Sequence, residues 1–82
     1  MEKNSQLIEP LNERELDILA GMSDGLTNKE IAAQLFLSYD TVRWYAKRMF
    51  QKLNVSNRAE AVSVAHEYNL LEPISPSQTD NT

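Results

Sequence analysis

The stretch Leu26–Arg58, LTNKEIAAQLFLSYDTVRWYAKRMFQKLNVSNR, has the layout of two helices joined by a tight turn. In the second helix Ser38 is placed as an N-cap. Val42, Tyr45, Ala46, Met49, Phe50 and Leu53 then recur at three- and four-residue steps, the spacing of one buried helical face. The opposite face must therefore carry Tyr39, Asp40, Arg43, Trp44, Lys47, Arg48 and Gln51, a basic surface with an aromatic in it. Asn54 follows the last apolar position, where a left-handed residue ends a helix and Asn is tolerated second only to Gly.

The helix before it begins with a T-x-x-E capping box, Thr27 to Glu30, flanked by Leu26 and Ile31 as a hydrophobic staple. Ile31, Ala32 and Leu35 form its inner stripe, and Phe36 and Leu37 alone separate Leu35 from the cap Ser38, a connection of helix-turn-helix length. Upstream, Asn12 and Glu15 make a second box with Leu11 and Leu16 as the staple, and Gly25 closes that helix. Gly21 inside it costs roughly 1 kcal/mol relative to Ala, which marks either close approach by a neighbouring helix or local tolerance of a poor residue. A fourth helix is expected from Ser56 or Asn57, with Asn57 and Glu60 as a third box, to about Asn69; Ala61, Val62 and Ala65 face inward and Leu70 and Leu71 fold back on the core.

No period-two run competes with these helices, so the expectation is an all-α, four-helix bundle-like domain containing a helix-turn-helix over residues 11–71. It is preceded by a polar arm, 1–10, and followed by a Pro-, Ser- and Thr-rich tail, 72–82, of disordered composition. A chain of 82 residues holds one core, near the lower limit of self-sufficiency.

The net charge of −4 at first argues against a nucleic-acid partner. Its distribution answers the objection. Residues 1–26 carry −4, with Lys3 and Arg14 against Glu2, Glu9, Glu13, Glu15, Asp17 and Asp24; residues 59–82, with Glu60, Glu67, Glu72 and Asp80, carry another −4. Residues 27–58 carry +4, with Lys29, Arg43, Lys47, Arg48, Lys52 and Arg58 against Glu30 and Asp40. A molecule so divided should approach DNA in one orientation, with modest non-specific affinity.

Enzyme chemistry finds no support. There is no Cys, no glycine-rich phosphate loop among two glycines, and no nucleophile, base and orienting acid that so small a core could preorganise. Glu13, Glu15 and Asp17 are explained by the helix dipole and the capping box. His66, without a second ligand nearby, is read as an ordinary helix residue, and neither a metal nor a cofactor is expected. The absence of Cys fits a cytoplasmic setting, no apolar run reaches membrane-spanning length, and the start MEKNSQ is not a secretion signal.

The run from Leu11 to about Leu71 resembles the LuxR-type (GerE-like) helix-turn-helix domain of bacterial transcription regulators, through LNERELDIL, GLTNKEIA, LFLSYDTVR and KLNVSNR. Ile8-Glu9-Pro10-Leu11 and Trp44-Tyr45 look most similar to the domains that end MalT-like ATPase regulators. Tyr45 stands where the family often has His, and Asn54 where it often has Gly; both suit their positions. The resemblance implies double-stranded DNA as partner, with the helix 39–53 in the major groove and Arg43, Trp44 and Lys47 facing base edges or nearby phosphates. It implies phosphate contacts from Lys29 and the amides near Asn28, and from Thr41, Arg48 and Arg58 in second rank, with Arg58 equally suited to tethering the last helix. The alternative for Trp44 is to cover apolar surface within the domain or at a crystal or dimer contact. A weak or DNA-induced homodimer is expected through Val64 and Tyr68, which lie one turn apart on a side of the last helix that the core does not need. The rival reading is a protein-interaction module of the same fold that contacts a partner regulator or RNA polymerase without binding DNA.

Overall fold

A computed structural model describes residues 10–71. Among them run four helices, α1 (Glu13–Ser23), α2 (Asn28–Leu35), α3 (Tyr39–Leu53) and α4 (Arg58–Glu67), and no strand. The polar arm, apart from Pro10, and the C-terminal tail lie outside the described residues.

Each helix starts where a side chain can satisfy its orphan amides. Asn12 accepts from the Glu15 amide at 2.8 Å while the Glu15 carboxylate accepts from the Asn12 amide at 2.9 Å. Thr27 and Glu30 repeat this exchange at 3.1 and 2.8 Å. Ser38 caps α3 through the Thr41 amide at 3.0 Å. The third expected box closes only halfway: Asn57 accepts from the Glu60 amide at 2.9 Å, but Glu60 Oε1 accepts from Ser56, one residue further back, at 2.7 Å. The extended Asn57 backbone (φ −155°) leaves the Ser56 amide as the donor that the carboxylate meets.

All four helices end in the same way. At Gly25, Phe36, Asn54 and Asn69 the backbone turns left-handed, and the next residue's amide reaches back to the carbonyl five residues before it. Gly25 and Asn54 were foreseen at such positions. Asn69 shortens the last helix to Glu67, two residues short of expectation. Phe36 is the exception in kind: a bulky residue at φ 59°, ψ 41° costs about 1–2 kcal/mol, and the residue is 93% exposed.

The core contains Ile18, Leu19 and Met22 of α1, Ile31 and Ala32 of α2, Val42, Ala46, Met49 and Leu53 of α3, and Ala61 and Ala65 of α4. Helices α1 and α3 each pack against all the others, whereas α2 and α4 barely meet. At the α1–α2 crossing, a Cβ on Gly21 would lie 2.7 Å from Ile31 Cγ1. Close approach is therefore the reason for this glycine. Val64 corrects the sequence reading: it is half-buried and packs against the core, because α4 turns more of its circumference inward than Ala61, Val62 and Ala65 account for.

Candidate nucleic-acid interface

The outer face of α3 is the one its periodicity dictates, with Tyr39, Asp40, Arg43, Trp44, Lys47, Arg48 and Gln51 all exposed. The Arg43 guanidinium lies over the Tyr39 ring, 5.8 Å from its centroid. Trp44 is 55% exposed and meets Tyr45 edge-on, with centroids 5.1 Å apart at 75°. The half-buried Tyr45 packs against the core, so Trp44 meets an anchored ring while more than half of it stays exposed. Lys47 is exposed and makes no ion pair among the described residues.

Beside this face begins α2. Its first two amides, those of Asn28 and Lys29, have no acceptor within the helix, and Lys29 is exposed. Thr27, Asn28, Lys29, Tyr39 and Arg58, with Met22, Ala46 and Phe50 beneath, line an open depression of about 470 Å³. Arg58 donates from Nη2 to the Leu26 carbonyl, which ties α4 to the α1–α2 turn, and its buried Nε has no hydrogen-bond partner among the described residues. The tether offered as one role for Arg58 is thus present. Thr41 Oγ1 accepts from Ser38 Oγ at 2.8 Å, leaving the Thr41 hydroxyl proton free to donate.

Sequence reasoning missed one group. Glu15 is fully buried, and its Oε1 accepts from Lys52 Nζ at 2.8 Å as well as from the Asn12 amide. Its Oε2 faces Arg48 Nε at 3.6 Å. Burial pushes the carboxyl up, but the Lys52 hydrogen bond, the Asn12 amide and the charges of Lys52 and Arg48 outweigh it and hold Glu15 below the usual carboxylate range. Arg48 also lies over the Trp44 ring, 5.1 Å from its centroid. The four-residue steps Trp44, Arg48, Lys52 were visible along the chain; a carboxylate 37 residues from Lys52 was not.

Residues 9–65 match the family described as bacterial regulatory proteins, luxR family. This chain belongs to that family. It is 45% identical over 58 residues to the HTH-type transcriptional regulator AlkS of Alcanivorax borkumensis, covering 71% of this chain and 7% of that protein. It is 42% identical over 67 residues to the virulence-factor transcription regulator BvgA of Bordetella pertussis, covering 82% and 32%. Among solved structures, the response regulator ChrA of a heme-sensing two-component system superposes with a TM-score of 0.73 at 36% identity, over 85% of this chain and 35% of that one. The luxR-family chain thus spans about a third or less of the length of these relatives. In this family setting α2 and α3 form the helix-turn-helix.

At the far end of α4, Tyr68 is exposed while Val64 is half-buried, so the proposed dimer contact is smaller than the sequence suggested. His66 Nε2 lies 3.1 Å from Ser23 Oγ, linking α4 to the end of α1. Among the described residues no group of three His, Cys, Asp or Glu is arranged to hold a metal, and no helix is long and apolar enough to cross a membrane.

Proposed function

We propose that this domain binds double-stranded DNA sequence-specifically and regulates transcription in a bacterial cytoplasm, without enzymatic activity of its own. The observation that carries the reading is the exposed Arg43, Trp44 and Lys47 on one face of α3, in the one segment of the chain with net positive charge and within a luxR-family helix-turn-helix. In this reading α3 enters the major groove, and Arg43, Trp44 and Lys47 meet base edges. Lys29 and the Asn28 amide take phosphate at the positive end of α2, with Thr41, Arg48 and Arg58 at the margins.

Two copies pair on DNA through α4, with Tyr68 at the contact and Val64 contributing what the core leaves exposed. The patch is too small for a strong dimer in free solution, so pairing occurs over half-sites centred about 10 base pairs apart. Tyr68→Glu should abolish cooperative filling of the second half-site and leave binding to one half-site intact. Unchanged cooperativity in footprinting on a two-site duplex would remove α4 from the contact.

One observation favours a second reading, the protein-interaction module contacting RNA polymerase or a partner regulator: Phe36 is strained and almost wholly exposed. A gel shift with pooled random duplexes at two salt concentrations separates the two. A retarded, salt-sensitive complex from which a motif can be selected supports DNA binding; no complex at low salt supports the module.

A further inference from the structure

Along one edge of α3, Trp44, Arg48 and Lys52 follow one another at four-residue steps, and the row ends on the buried Glu15 of α1. The two oxygens of that carboxylate are unequally used. Oε1 is fixed by the Asn12 amide at 2.9 Å and Lys52 at 2.8 Å; Oε2 has no hydrogen bond among the described residues and faces only the Arg48 guanidinium, 3.6 Å away. Arg48 is thereby drawn toward α1 by a carboxylate anchored through its other oxygen, and in that position its guanidinium carbon lies over the Trp44 ring. The indole thus has two neighbours, this guanidinium and the edge-on Tyr45 ring, and more than half of the residue stays open.

We propose that Glu15 is a positioning residue for sequence readout, acting through Arg48 to set the pose in which Trp44 meets DNA. This rests on the DNA-binding reading above. A surface tryptophan free to change rotamer must be ordered at the moment of binding and reaches alternative base pairs in alternative rotamers. One clamped in advance is spared that cost and favours the bases its pose fits. Lys52 has a different part: it anchors the same carboxylate, and among the described residues no cation–π contact joins it to the indole.

Trp44 is the only tryptophan of the chain, so its fluorescence reports this pose directly. Three variants are compared with the parent: Glu15→Gln, which removes the anchoring charge; Arg48→Lys, which keeps the charge but not the planar guanidinium; and Lys52→Met as the control. In time-resolved anisotropy of the free protein, the fast component of indole motion should grow in Glu15→Gln and Arg48→Lys and stay at the parent level in Lys52→Met. In selection from a random duplex pool, discrimination at the base pairs relaxed by Trp44→Ala should fall about fivefold, the lower end of one base contact, in the first two variants only.

Helical circular dichroism and a thermal melt establish that each variant is folded at the assay temperature, and if Glu15→Gln is not, Arg48→Lys decides. Parent-like motion and an unchanged motif in a folded Glu15→Gln or Arg48→Lys overturn the assignment while leaving DNA binding intact. A motif relaxed equally in Lys52→Met also overturns it, because any loosening of α1 against α3 would then suffice. If the parent itself selects no motif, the DNA-binding reading falls and the assignment with it.

Discussion

The two edges of α3 carry the same chemistry and hold it in opposite ways. On one, Arg43 and Lys47 project into solvent, with only the Tyr39 ring beneath the guanidinium. On the other, Arg48 and Lys52 turn back onto a buried carboxylate, and Lys52 keeps only 19% of its side chain exposed. A charge count treats these four cations alike. The difference teaches that two of them are engaged by the scaffold, so the proposed reading surface is narrower, and more dependent on Arg43, Trp44 and Lys47, than the +4 of the segment suggests.

The largest test of this contrast is Glu15→Ala. The variant loses the carboxylate that accepts from both the Asn12 amide and Lys52, so urea unfolding should show a loss of about 3 kcal/mol, as for hydrogen bonds to a charged group, whereas Arg43→Ala and Lys47→Ala should each stay within about 0.5 kcal/mol of the parent. Equal stability in all three variants would erase the distinction between the edges. Acid should expose the same group. Because the folded Glu15 pKa is depressed, its contribution is complete above the unfolded value of about 4.3 and is lost as pH falls through the lower folded value. The parent's urea midpoint should therefore decline below that pH more steeply than that of Glu15→Gln.

Next in size is the effect on binding at the open edge. Arg43→Ala and Lys47→Ala should each weaken specific DNA binding by about 1–3 kcal/mol with the circular dichroism unchanged. Full affinity in both would mean that the exposed edge is not the reading surface. A smaller gain is expected at the turn between α2 and α3. Phe36→Asn relieves a left-handed backbone while giving up a ring that packs on little, so stability should rise by about 1 kcal/mol; a loss in the melt would show that the ring supports the turn. Smallest is Lys29→Ala, which should leave stability unaltered and lower the slope of log affinity against log salt by about one. A parental slope would take Lys29 out of the interface.

The elements were legible because their signals are local. Capping residues three apart, apolar steps of three and four, and Gly25 or Asn54 after the last apolar turn concern atoms within one helical turn of each other, and the helix starts and the inner and outer faces of α3 follow from them. Where the local signal was ambiguous, prediction slipped. Asn57 and Glu60 have the spacing of a capping box, yet the carboxylate chose the Ser56 amide, and Phe36 occupies a left-handed position for which no residue preference would nominate it.

By itself, the sequence determined four helices, the residues that cap their N-termini, the basic face and membership in a recognisable helix-turn-helix pattern, since each is set by neighbours along the chain. Only the tertiary structure decided which charges on that face are free. Glu15 satisfies its local capping rule whether or not Lys52 and Arg48 are near, Arg58 serves phosphate or the Leu26 carbonyl equally well on paper, and Val64 looks spare until α4 is docked. Such assignments depend on distances across 30 to 40 residues of chain, where packing brings groups together without any pattern in their spacing.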